Sequence, residues 1–320
     1  MPRLTPGLRL RMATAALCAA LSAVMPGAAG AQTRNPADTV PMPKAMSDLA
    51  FPLTSIILPG FGQFQQGQWA GGLALAGVGV AGIAAAVAVL PAVERSDAAD
   101  LADLPKSPEA RTFLLGAQTY QSMGFLSAYF AFRTTVPAYQ KVDKRYLFLP
   151  PPDPPGKILS APFQFHFLKR PTTFIPLGSL LILAGASVAY ERGNHPDADW
   201  VFSWDDVAFS SAVSYYAGVS EEAAFRGYLL PVFHEYMGQL WVPANGLQSL
   251  IFAAAHYDGD IRRTLVPALL GYYFGLVTRR DQWSIRETAF THFWWDAIAL
   301  TASYLTLRRV EARIGFSTPF

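Results

Sequence analysis

From Gly71 to Leu90 the chain carries no charged and no strongly polar side chain. As a helix, such a stretch is long enough to cross the hydrocarbon core of a bilayer. Phe113 to Phe132, despite Gln118 and Gln121, and Thr172 to Tyr190 are further apolar stretches of spanning length. Backbone in lipid must satisfy its own hydrogen bonds, which restricts spanning segments to helices or closed barrels; runs of this length point to helices. Composition agrees: of 320 residues, 52% are hydrophobic and 15% charged, where a soluble domain carries about a quarter charged. Lys+Arg 25 against Asp+Glu 23 gives a net charge of +2. That balance lacks the basic footprint of a nucleic-acid binder, and no nucleic acid is expected as a partner. Long apolar blocks equally exclude intrinsic disorder.

Residues 1–31 read as a signal peptide: Arg3, Arg9 and Arg11 form a basic start, Met12 to Met25 an apolar stretch, and Ala29-Gly30-Ala31 a small-x-small cleavage site. A retained first helix is the alternative. Cys18, the only cysteine, lies within this segment. Cleavage would leave no thiol, which removes disulfides and thiolate metal sites. Residues 32–70 read as an exported polar stretch followed by a broken apolar segment. That segment, Phe51 to Phe64, is interrupted by Leu58-Pro59-Gly60-Phe61-Gly62-Gln63. Residues 71–132 hold two N-terminal transmembrane helices, and 133–171 a Pro-rich basic linker, extended through Pro150–Gly156. Residues 172–310 form the remaining domain. Its helices are Thr172–Tyr190, Asp206–Phe233, Trp241–His256, Thr264–Thr278 and Thr288–Leu307. Gly271 and Gly275, at GxxxG spacing, read as helix packing, as do Gly77, Gly79 and Gly82. Basic residues of the linker and of the Arg279–Arg286 loop belong on the cytoplasmic side. With an exported N-terminus, that orientation requires Phe51–Phe64 to cross too. The expected fold class is therefore all-α: a polytopic membrane helical bundle of about eight spans behind an N-terminal signal peptide.

Charges inside the Asp206–Phe233 helix carry the chemistry. Glu221-Glu222-Ala223-Ala224-Phe225-Arg226 places three ionisable groups in apolar surroundings, and each costs at least ~3 kcal/mol at bilayer depth. Glu222 and Arg226, at i,i+4, meet on one helix face. Glu221 points about 100° away and has no intrahelical cation. A carboxylate desolvated in this way suits a general base working near neutrality; an ion-pair cluster clamping helices together is the structural alternative. Phe252-Ala253-Ala254-Ala255-His256 sets an imidazole one turn from an aromatic ring, at the end of an apolar run. His292-Phe293-Trp294-Trp295-Asp296 sets an imidazole and a carboxylate at i,i+4, where the Asp reaches the ring. Three other motifs are incomplete. His234-Glu235-Tyr236-Met237-Gly238 starts like a zincin helix but has Gly238 where the second His must stand. Ser220 in Gly218-Val219-Ser220-Glu221 has no evident base. Asp258 and Asp260 share one turn, where an aspartyl protease needs two helices.

Glu-Glu-x-x-x-Arg, Phe-x-x-x-His and His-x-x-x-Asn/Asp, in this order on successive helices, resemble the signature of the CPBP intramembrane proteases. That family includes the type II CAAX prenyl endopeptidases and bacteriocin-processing or self-immunity proteins. The resemblance spans roughly Thr172 to Leu307. It implies an intramembrane endopeptidase in which Glu221 activates water with help from His256. By the same likeness Glu222 and Arg226 brace the site, and His292 with Asp296 supports the oxyanion. An ionised Asp cannot donate to an oxyanion, so Asp296 is either protonated or holds the tautomer of His292. No cofactor is required, although zinc is possible on Glu221, His256, His292 and Asp296. The metal-free version is favoured because it gives Glu221 a clear role. Expected partners are a peptide or membrane-protein substrate and the lipid bilayer. The expected location is the bacterial inner (cytoplasmic) membrane, multi-pass, with residues 32–70 starting in the periplasm. The competing functions are a catalytically inactive CPBP-like scaffold or immunity protein, and a transporter using the same groups as a proton relay, for which no inverted repeat is visible.

Overall fold

The computed structural model describes residues 52–94, 105, 107–194, 203–257 and 259–306, and every regular element among them is helical. The signal-peptide segment, 1–31, lies outside these residues. The long helices are α1 (Trp69–Val93), α2 (Pro108–Val142), α3 (Pro171–Asn194) and α4 (Trp204–Glu221), then α5 (Leu230–Tyr236), α6 (Trp241–Ala255), α7 (Ile261–Arg280) and α8 (Arg286–Leu305). A π-helical stretch, Glu222–Leu229, joins α4 to α5. Among the described residues α1 and α3 are the two helices both long and apolar enough to cross a membrane.

Local chemistry sets the helix ends. Ser107 accepts a hydrogen bond from the Ala110 amide at 3.1 Å, with Pro108 in the first turn of α2; both are favoured at a helix start. Asp205 and Asp206 occupy the first turn of α4, while Arg279 and Arg280 occupy the last turn of α7. Each sign complements the helix dipole. Helices α1 and α2 are packed so closely at one point that only glycine fits. A Cβ added to Gly82 would stand 2.7 Å from the Gly116 carbonyl oxygen, and one on Gly116 would stand 2.4 Å from that of Gly82. Gly77, read from the sequence as a packing position, faces open space instead.

The segment ahead of α1 is not one continuous helix. It is helical at 52–57, turns at Leu58–Gly60, and is helical again at Phe61–Gln65. Both arms contact α2. The Ile57 carbonyl accepts from the Tyr120 hydroxyl at 2.5 Å, the Gly60 amide donates to Ser127 Oγ at 2.9 Å, and Gln66 Nε2 donates to the Ala131 carbonyl at 2.7 Å. Ser55 Oγ also accepts from the Gly62 amide at 2.8 Å, which ties the two arms together. The two short arms fold against each other as a hairpin. Pro59 breaks the helix and Gly60 takes the left-handed conformation (φ 87°) that favours glycine. Each arm is then far too short to span a bilayer.

The basic linker is also more ordered than its prolines suggest. Helix α2 continues through Arg133 to Val142. After the irregular prolines, Pro155–Leu159 is helical and is followed by 3₁₀ turns at Ala161–Phe163 and Phe165–Lys169. This strap is fixed to α4 by Tyr215, whose hydroxyl donates to the Leu159 carbonyl at 2.9 Å. It is fixed to α8 by Trp294, whose indole donates to the Pro162 carbonyl at 3.0 Å. At the end of the strap Arg170 pairs with Asp281 at 2.7 Å and with Glu287 at 2.5 Å, and Arg280 pairs with Glu287 at 2.9 Å. The two basic segments that the sequence assigns to one side therefore meet at one end of the bundle.

Candidate active site

The cluster begins where α4 becomes π-helical. Wider π turns are uncommon and frequently occur at functional sites. Here the change falls between Glu221, the last residue of α4, and Glu222. Residues 221–230 are all buried. Glu222 Oε1 lies 2.9 Å from Arg226 Nη1 and 2.8 Å from His292 Nδ1. One carboxylate oxygen thus accepts from an arginine on its own helix and from an imidazole on α8. Both side chains of the Glu222–Arg226 pair are fully buried. Removing one member of such a pair costs far more than the pair itself contributes.

Glu221 is placed differently. Its Oε2 is buried with no hydrogen-bond partner. It faces His256 Nε2 at 3.6 Å and His292 Nε2 at 3.9 Å. These separations exceed a direct hydrogen bond and leave one water molecule within reach of both partners. His256, the residue that caps α6, is oriented by the carbonyl of Phe252, 2.8 Å from Nδ1. Its Nε2 is turned to Glu221. His292 is oriented by Glu222 through Nδ1 and carries Asp296 Oδ2 at 3.3 Å from Nε2. The Asp296 side chain is 26% exposed and is the most open member of the cluster.

All six sequence-selected residues, Glu221, Glu222, Arg226, His256, His292 and Asp296, therefore converge from α4 with its π extension, α6 and α8. The spacing argument pairs His292 with Asp296; the structure adds a shorter contact, to Glu222. A close crossing makes this possible. A Cβ on Gly218 would stand 2.6 Å from the Phe293 amide nitrogen, so α4 and α8 touch backbone to backbone one residue from His292. Aromatic rings line the cluster. Phe252 stacks at 4.3 Å on His256 and lies 4.2 Å from the Arg226 guanidinium carbon. Phe274 of α7, which sequence reasoning did not select, approaches both His292 and Arg226 at 5.3 Å. The only sequence signal near it is the Gly271/Gly275 pair. Those glycines sit against Ser249, Phe252 and Asn245 of α6.

The incomplete motifs lie elsewhere. Ser220 Oγ donates to the Tyr216 carbonyl at 2.7 Å and to Ser122 Oγ at 3.0 Å, toward α2. His234 is packed among Phe148, Trp241 and Trp283 at the far end of α6. Asp260 caps α7 through the Arg262 amide at 2.9 Å. Asp258 lies outside the described residues. Among the described residues no group of three or more His, Cys, Asp or Glu side chains is arranged to hold a metal ion.

Fold and site together define a class: an all-helical bundle with an acid–imidazole cluster enclosed by its apolar helices. Residues 203–298, under a third of the chain, match the family model described as type II CAAX prenyl endopeptidase Rce1-like. The matched segment begins just ahead of α4 and ends just past Asp296, so it contains the whole cluster. No curated protein and no solved structure matches the chain.

Proposed function

We propose that this chain is an intramembrane endopeptidase that hydrolyses peptide bonds with a Glu221-activated water. The observation that carries the reading is the unpartnered Glu221 Oε2, held within water-bridging distance of two imidazole nitrogens. A water there gives one hydrogen to Glu221 and the other to His256 Nε2, leaving its lone pair for the substrate carbonyl carbon. As the C–O bond forms, His292, held through Nδ1 by Glu222, donates from Nε2 to the developing oxyanion. Glu221 then passes its proton to the leaving amine as the C–N bond breaks. Asp296 contributes by holding His292. No step in this sequence needs a metal. The bundle sits multi-pass in a bacterial inner membrane. Its substrate is a peptide or membrane-protein segment.

The test is a peptide-library cleavage screen on detergent-purified protein, run with and without chelator. Glu221→Gln should abolish cleavage, by about 10³-fold or more if it removes the base, while melting in detergent stays near that of the wild type. Wild-type turnover in that variant would refute the mechanism, and loss of turnover with chelator would refute its metal-free form.

A further inference from the structure

Helix α7 supplies none of the acids or imidazoles of the cluster, yet one of its side chains touches two members. The Phe274 ring is 1% exposed. Its centroid lies 5.3 Å from the His292 ring at an interplanar angle of 32°, and 5.3 Å from the Arg226 guanidinium carbon. Arg226 needs such a neighbour. Its Nη1 bonds to Glu222, whereas Nε and Nη2 are buried with no hydrogen-bond partner. A desolvated guanidinium in that condition is attracted to the negative face of an aromatic ring, and Phe252 and Phe274 are the two rings nearest to it. Gly271 and Gly275 bring α7 close enough to α6 for the rings to share one cation.

We infer that Phe274 is a positioning residue for the hydrolytic site, acting through Arg226 and Glu222 on His292. The linkage is a single atom: Glu222 Oε1 bonds both Arg226 Nη1 and His292 Nδ1. If the guanidinium loses its seat, that oxygen follows it and the imidazole turns away from Glu221. This inference rests on the endopeptidase reading, and the experiment separates the two. Phe274→Met fills the volume without a π face, and Phe274→Tyr keeps the ring. In the cleavage assay Phe274→Met should lower kcat about tenfold or more, move its pH profile and leave KM within about twofold, while Phe274→Tyr stays within about threefold of wild type. Independently of turnover, NMR of histidine-labelled protein should show the His292 imidazole resonances displaced in Phe274→Met and retained in Phe274→Tyr. If Phe274→Met fails to fold in detergent, Phe274→Leu takes its place. Unchanged kcat, pH profile and His292 resonances in a folded non-aromatic variant would overturn the inference. Should the wild type cleave nothing, the endopeptidase reading fails and the NMR shift alone decides whether Phe274 positions His292.

Discussion

Helix α1 and the stretch from Glu221 to Leu230 are both built largely from small and apolar residues, but they face opposite surroundings. On α1, Leu73, Val80 and Val87 point outward, and its buried positions are mainly glycines that admit α2 and the hairpin. From 221 to 230 nothing is exposed, and the charged groups Glu221, Glu222 and Arg226 are as buried as their apolar neighbours. The first region meets its environment with hydrocarbon and its neighbours with backbone; the second turns hydrocarbon outward against other helices and keeps its charges for the centre. Apolarity along a sequence therefore finds the helices that turn hydrocarbon outward. Those that carry the candidate site are hidden from that measure by their charged residues, which is why α1 and α3 satisfy it and the site helices do not.

Four substitutions test this contrast. The largest effect belongs to Glu222→Ala, which strands Arg226 and His292 in a dry interior. It should cost about 3–5 kcal/mol in detergent unfolding and abolish cleavage; a small change in either would place the two regions on equal terms. Next, Gly218→Leu and Gly82→Leu should each cost about 1–3 kcal/mol by overpacking, since both face backbone within 3 Å. They part in the cleavage assay. Gly218→Leu pushes α8 and His292 away from Glu221 and lowers kcat, whereas Gly82→Leu separates α1 from α2 and leaves the turnover of folded protein unchanged. Equal losses of kcat would show that the α1–α2 packing reaches the site. The smallest effect is expected for Gly77→Leu, which meets nothing within 4 Å and should stay within about 0.5 kcal/mol. A larger loss would reveal a partner on that face.

The site was legible in the sequence because its residues are costly where they stand. Charges at 221, 222 and 226 and imidazoles at 256 and 292 stand out from apolar surroundings, and the i,i+4 rule pairs Glu222 with Arg226 before any fold is known. The Glu222–His292 contact was not legible, because it joins residues that share no helix. Phe274 escaped for the reverse reason: one phenylalanine among many apolar residues carries no mark of which ring will lie under a guanidinium. The π-helical turn has no residue signature either. On the fold, helix positions followed apolar runs well. The differences lie at Phe51–Phe64, which the charge-based orientation asks to cross and which Pro59 and Gly60 break into two short arms, and at Arg133–Val142, where charged residues extend α2 beyond its apolar part.

The hairpin at 52–65 has a bearing on bookkeeping by compartment. With α1 crossing a bilayer, two arms each too short to span lie on the side from which Trp69 sets out. Paired cysteine-labelling reporters on either side of the reversal should then be reached by an impermeant reagent together or not at all.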